Sequence, residues 1–189
     1  MVTDDVGLLT PRDTAQSGSR VVRSLGLLIL VMLAAWGAQD LWETLLNSRG
    51  GLQGEYFSDL DFQGDRFERH DRSLDFLWEA RGPLEGVPAE NFSARWRGEI
   101  YFPADGVYQI ILRTDDGARL TIGDEVLIDE WWPQPATEYA RSMEFTKGWK
   151  HLEVDFFQKS GNAECRLMWI PPDDVRQAVP PRNLRPPKS

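Results

Sequence analysis

The chain has 189 residues, 41% hydrophobic and 11% aromatic, with 8 Trp and a formal net charge of −9. That length suits one domain plus appendages, and the apolar fraction suffices for a real core. The acidic balance, without any long Lys/Arg run, excludes a duplex nucleic-acid binder, and the lone Cys165 excludes an intramolecular disulfide.

Residues 1–20 are polar, carry mixed charges and include Ser17, Gly18 and Ser19. They read as a disordered cytoplasmic tail. Residues 21–46 read as a single transmembrane helix, a signal anchor. Its apolar heart, residues 25–38, falls short of the ~20 residues a bilayer requires. Val21, Val22 and a snorkelling Arg23 extend it on one side, and Leu41, Leu45 and Leu46 extend it on the other. Leu25, Leu28, Leu30 and Leu33 would lie in the hydrocarbon, with Trp36 and Trp42 as an aromatic belt at the outer interface. Arg12, Arg20 and Arg23 precede the run while Asp40 and Glu43 follow it, so the positive-inside rule puts the N-terminus in the cytoplasm. The remainder is then periplasmic or extracellular. A cleaved signal peptide is the rival reading, but its one small-x-small site, Ala35-Trp36-Gly37, is a poor one. A buried core helix is disfavoured because the run lacks a polar face.

Residues 47–172 show short alternating stretches between turn signals, the pattern of a sandwich or barrel. Tyr108, Ile110 and Leu112 share one face, as do Leu152, Val154 and Phe156, and Leu167 with Trp169. Turn chemistry separates them at Ala104-Asp105-Gly106, Asp115-Asp116-Gly117, Gly123-Asp124, Lys147-Gly148 and Ser160-Gly161-Asn162. Cys165 falls in one such stretch and reads as a small buried hydrophobe. Residues 173–189 form a Pro-rich C-terminal tail that either lies along the domain in an extended path or hangs free.

These residues also carry a family resemblance. Gly51-Leu52-Gln53-Gly54-Glu55-Tyr56-Phe57 resembles the opening strand of the PA14 module, and Asn91-Phe92-Ser93-Ala94-Arg95-Trp96-Arg97-Gly98 its central strand. Pro103 with Gly106-Val107-Tyr108 is similar to its hairpin, and the run from Thr114 through Asp115-Asp116-Gly117 to Ile122 to its Asp-Asp-Gly signature. Residues 148–158 and 163–169 resemble its closing strands. The pieces are individually weak; their order is specific. The resemblance implies an all-β antiparallel β-sandwich, usually non-catalytic and often glycan-binding. In its adhesin branch the adjacent aspartates bind Ca²⁺ through a cis peptide, which here implies Asp115 and Asp116. An Asn ligand of that branch is replaced by Gln158, with Asn162 nearby.

Read as chemistry, Asp115 and Asp116 offer part of the six to eight oxygens that Ca²⁺ takes. Two adjacent carboxylates repel unless something cationic sits between them. A metal is one candidate and Arg113 or Arg119 another; the plain alternative is a turn capping its own backbone amides. Asp129-Glu130-Trp131-Trp132 suits a glycan platform, because sugars stack on exposed rings while carboxylates accept their hydroxyl protons. Strand alternation instead sends one Trp inward and one outward. Catalysis finds little support: His70 and His151 lie in no metal-ligand spacing, and there is no phosphate-binding glycine loop.

The candidate ligand residues are therefore Asp115, Asp116, Gly117, Trp131, Trp132, Gln158 and Asn162, with Ca²⁺ as the possible cofactor at Asp115 and Asp116. The expected function is a membrane-anchored, non-enzymatic binding module for glycans. The alternative is an accessory subunit whose β-module docks on neighbouring membrane-protein subunits.

Overall fold

The computed structural model describes Met32, Ala38 and residues 50–79 and 81–188. The chain divides into two units, Met1–Thr44 and Leu45–Ser189. In the first, Met32 and Ala38 are helical. Leu25, Leu28, Leu30, Leu33, Trp36 and Trp42 lie outside the described residues. No helix among the described residues is long and apolar enough to cross a membrane.

The second unit is built of strands β1 (Leu52–Phe57), β2 (Arg66–Asp71), β3 (Asp75–Leu77), β4 (Phe92–Phe102), β5 (Gly106–Asp115), β6 (Gly117–Ile122), β7 (Glu125–Glu130), β8 (Thr137–Phe145), β9 (Gly148–Gln158), β10 (Glu164–Ile170), β11 (Gln177–Ala178) and β12 (Leu184–Arg185). They form a seven-stranded sheet in the order β2-β1-β4-β9-β6-β7, with β12 added to β4. The five-stranded second sheet runs β11-β10-β5-β8, with β3 added to β10. The strand pairings are antiparallel, and the expected all-β sandwich is what the chain adopts.

Alternation decides which side chains form the core. On β4, Phe92, Ala94, Trp96, Ile100 and Phe102 are fully buried, while Arg95, Arg97, Glu99 and Tyr101 point to the outer face. Strand β9 pairs with it from Phe92↔Gln158 to Phe102↔Gly148 and contributes Leu152, Val154 and Phe156. The other sheet faces them with Tyr108, Ile110, Leu112, Leu167 and Trp169. Each fully buried large apolar side chain contributes about 1.5–3 kcal/mol. Cys165 is buried among them, and desolvation pushes its thiol well above the ordinary range.

The outer face of the larger sheet carries a cross-strand row of alternating charge. Register places Glu55, Arg95, Asp155, Arg119 and Asp129 side by side on successive strands. Arg95 binds Asp155 at 2.5 Å and Arg119 binds Asp129 at 2.6 Å, while Arg97 bridges Glu55 and Glu153 at 2.8 Å each. Pairs at such exposure contribute about 0–1 kcal/mol each, so the row sets register and solubility more than stability.

The Pro-rich stretch lies along the domain. Val179 is buried, β11 pairs with β10, residues Pro181–Asn183 form a 3₁₀ turn, and β12 pairs with β4.

Candidate functional site

Antiparallel order brings the ends of β1, β4, β5, β9 and β10 together at one end of the sandwich. Phe92 pairs with Gln158, Gly117 with Phe157, and Asp115 with Glu164. The turn Asp115-Asp116-Gly117 therefore sits beside the loop after β9 and the loop between β7 and β8. The Asp115–Asp116 peptide bond is cis, as the family resemblance implies.

Asp116 is 6% exposed and engages both loops. Its Oδ1 accepts the backbone N–H of Gln134 at 3.0 Å. Its Oδ2 accepts those of Lys159 at 2.7 Å and Ser160 at 3.4 Å. Its backbone carbonyl accepts Thr114 Oγ1 at 3.0 Å and Gln134 Nε2 at 3.3 Å. Gln158 is fully buried: its Oε1 accepts the Asp116 N–H at 3.2 Å, and its Nε2 donates to the Asn162 carbonyl at 2.9 Å. Tyr139 donates its hydroxyl to Gln134 Oε1.

Asp115 lies at the margin of this network. Burial first, and the Asp116 charge second, push its carboxyl above the ordinary range; a backbone hydrogen bond from Ala136 opposes them. Arg113 pairs with Glu164 at 2.9 Å and Arg119 pairs with Asp129. Both arginines thus form their ion pairs with carboxylates other than Asp115 and Asp116.

Gly117 is required by close approach. A Cβ there would run into the Phe157 ring and the backbone of Glu130 and Trp132. Trp131 is half-buried, packed on Phe157 at 4.8 Å and Phe62 at 5.7 Å, with the Arg119 guanidinium 4.7 Å from its ring centre. Trp132 is 50% exposed, and its Nε1 donates to Glu130 Oε2 at 3.1 Å. Both residues lie in the loop after β7, so loop packing rather than strand alternation sets their different exposure.

Asn162 is exposed and lines a shallow cleft of about 510 Å³ with Pro88, Ala89, Glu90 and Gly161. Glu90 Oε1 accepts the Gly161 N–H at 3.0 Å, joining the two walls. Sequence reasoning missed Glu90 and Gln134. The one sequence cue for Gln134 is its place between Pro133 and Pro135, which fix the loop backbone on both sides.

These groups do not fit Ca²⁺ as the adhesin branch would bind it. The ion takes six to eight oxygens. Here both Asp116 carboxylate oxygens accept backbone amides, and the Gln158 carbonyl oxygen accepts another. Gln158 thus holds the turn rather than standing open as a ligand. Among the described residues, no cluster of three or more His, Cys, Asp or Glu side chains could hold a metal.

A twisted sandwich with its loops gathered around an Asp-Asp-Gly turn defines the class. A profile of the PA14 domain matches residues 48–183, and the chain belongs to the PA14 domain family. It is 32% identical over 145 residues to the anti-sigma-I factor RsgI3 of Acetivibrio thermocellus, covering 76% of this chain but 22% of that protein. A solved anti-sigma factor domain-containing protein from Clostridium clariflavum superposes with a TM-score of 0.69 at 27% identity, over 74% of this chain and 48% of that one. The PA14 sugar-binding domain from an RTX adhesin shares the fold, with a TM-score of 0.58 at 15% identity, over 72% of this chain and 98% of that one.

Proposed function

We propose that this chain is a non-catalytic glycan-binding module held outside the cytoplasm by its N-terminal apolar segment. The observation that carries this reading is the end of the sandwich at Asp115–Gly117. There a buried hydrogen-bond network fixes three neighbouring segments, while Trp132, Glu90 and Asn162 remain at the surface beside them. An exposed indole offers an apolar face for a pyranose ring, and a carboxylate with an amide offers acceptors and donors for its hydroxyls. The shared fold with the sugar-binding PA14 domain of an RTX adhesin supports the ligand class. The likeness to anti-sigma factors supports a role as the ligand-sensing part of a signalling protein.

The test uses the full chain in mild detergent on a glycan array, followed by calorimetry on the hits. Glu90→Ala, Asn162→Ala and Trp132→Ala are expected to weaken binding about tenfold each, the loss of roughly 1.4 kcal/mol. An array silent at millimolar glycan, with a stoichiometric protein complex recovered instead, would replace this reading with the docking subunit.

A further inference from the structure

The Asp115-Asp116 turn is the point where the family resemblance implies a cation. In this chain the protein's own groups occupy that role. Asp116 is almost fully buried, and three backbone N–H groups end on its carboxylate. Backbone N–H groups that end on a carboxylate hold it in a fixed direction, and the carboxylate in turn fixes the segments that carry them. The donors come from different segments: Gln134 from the β7–β8 loop, Lys159 and Ser160 from the loop after β9. Gln158 ties the backbone of Asp116 to Asn162, and Glu90 ties Gly161 to the segment before β4. The amide of Gln158 is spent at both ends within this network. The carboxylate thus connects every loop that flanks the cleft, directly or through one further hydrogen bond.

We propose that the turn is a cation-free clamp: hydrogen bonds within the protein order the loops around the cleft, and glycan recognition here proceeds without calcium. The first half stands on the geometry alone; the second rests on the glycan-binding reading. Loop order should then be indifferent to chelator, and ligand hydroxyls should meet Glu90 and Asn162 directly rather than through a metal.

The wild-type full chain provides the first test. Melting temperatures in about 5 mM EDTA and about 5 mM CaCl₂ are expected to agree within about 1 °C, since a ligand that does not bind the folded state cannot stabilise it. Calorimetric titration with Ca²⁺ alone should give no saturable heat. A calcium-dependent rise of several degrees, or saturable binding at or below millimolar Ca²⁺, would overturn the clamp.

The second test is Asp116→Asn, which places an NH₂ against one of the amide donors. It should lower the melting temperature by about 5 °C or more and speed amide exchange at Gln134, Lys159 and Ser160, equally in both buffers. Gln134→Ala, which removes a single side-chain bond to the turn, should do the same more weakly if Asp116→Asn does not fold. A loss confined to the calcium buffer would show a metal site instead. Glycan hits should be identical with and without EDTA. An array silent in both buffers sinks the glycan reading, and the clamp is then judged on melting and calcium titration.

Discussion

Trp96 donates its indole Nε1–H to Asp71 Oδ2 at 2.7 Å, at a point where Gly54 leaves the space between them open. The same oxygen accepts the Tyr56 hydroxyl at 2.5 Å, and Arg69 binds Asp71 from the other side while its guanidinium touches the Tyr56 oxygen at 2.5 Å. Asp71 is 5% exposed, so a charge is held inside the sandwich edge by a ring of donors. Removing it leaves the Trp96 indole N–H without its partner and the part-buried Arg69 guanidinium with only neutral acceptors, the Tyr56 hydroxyl and the Pro83 carbonyl.

We therefore expect Asp71→Ala to cost about 3–5 kcal/mol, the range for breaking a buried ion pair from one side. Gly54→Ala, which drives a methyl into Asp71 Oδ2 and the Trp96 ring, should cost about 1–3 kcal/mol. Denaturant unfolding checks both. A loss below about 1 kcal/mol for Asp71→Ala would mean the network adds little.

The two adjacent tryptophans should separate stability from binding. Trp131→Ala removes a ring packed between Phe62, Phe157 and Arg119 and should cost about 2–3 kcal/mol. Trp132→Ala, half exposed at 50%, should change stability by less than about 0.5 kcal/mol. Comparable melting losses for both would contradict the split.

Acid should loosen the C-terminal segment. The Arg185 guanidinium, hydrogen-bonded to Glu99 at 2.5 Å, holds that carboxyl below its ordinary range. A depressed carboxyl adds stability above its unfolded pKa and loses it as pH falls through the lower folded value. Below about pH 4, amide exchange at Leu184 and Arg185 should therefore quicken. Arg185→Gln should already exchange faster at neutral pH and respond less to acid; unaltered protection in that variant would refute the link. Solvent around the pair keeps the effect local.

Cys165 should be silent in the native state. Its thiol is fully buried and burial pushes it far from ionisation, and only the thiolate attacks. A colorimetric disulfide reagent should leave the folded protein untouched for hours and react at once in guanidinium. Fast native labelling would show that the strand opens.

The sandwich was legible in the sequence because its strands are long enough to alternate. Tyr108, Ile110 and Leu112 announce β5, and Leu152, Val154 and Phe156 announce β9. The Asp115-Asp116-Gly117 turn was legible too, since its chemistry is contiguous. Its meaning was not, because the groups that answer Asp116 arrive from 18 residues away at Gln134 and 43 away at Lys159. Loops without periodicity give no sign of where their amides point. Gln158 shows the same limit: its position was readable, but the direction of its amide depends on Asn162 and the turn. Glu90 reaches across 71 residues to Gly161. Strand β12 has 2 residues, too few to alternate at all.

The pairing of β12 with β4 also brings the two chain ends of the β-sandwich together. Gly51 donates its N–H to the Leu184 carbonyl at 3.0 Å, and Asn183 donates to Tyr101 at 2.9 Å, so entry and exit of the chain lie side by side. At about 3.3 Å per residue along β4, Ile100 beside Leu184 stands about 26 Å from Phe92 at the cleft end. Reporter proteins fused just before Gly51 or just after Arg185 share one footprint and leave the opposite rim unshaded.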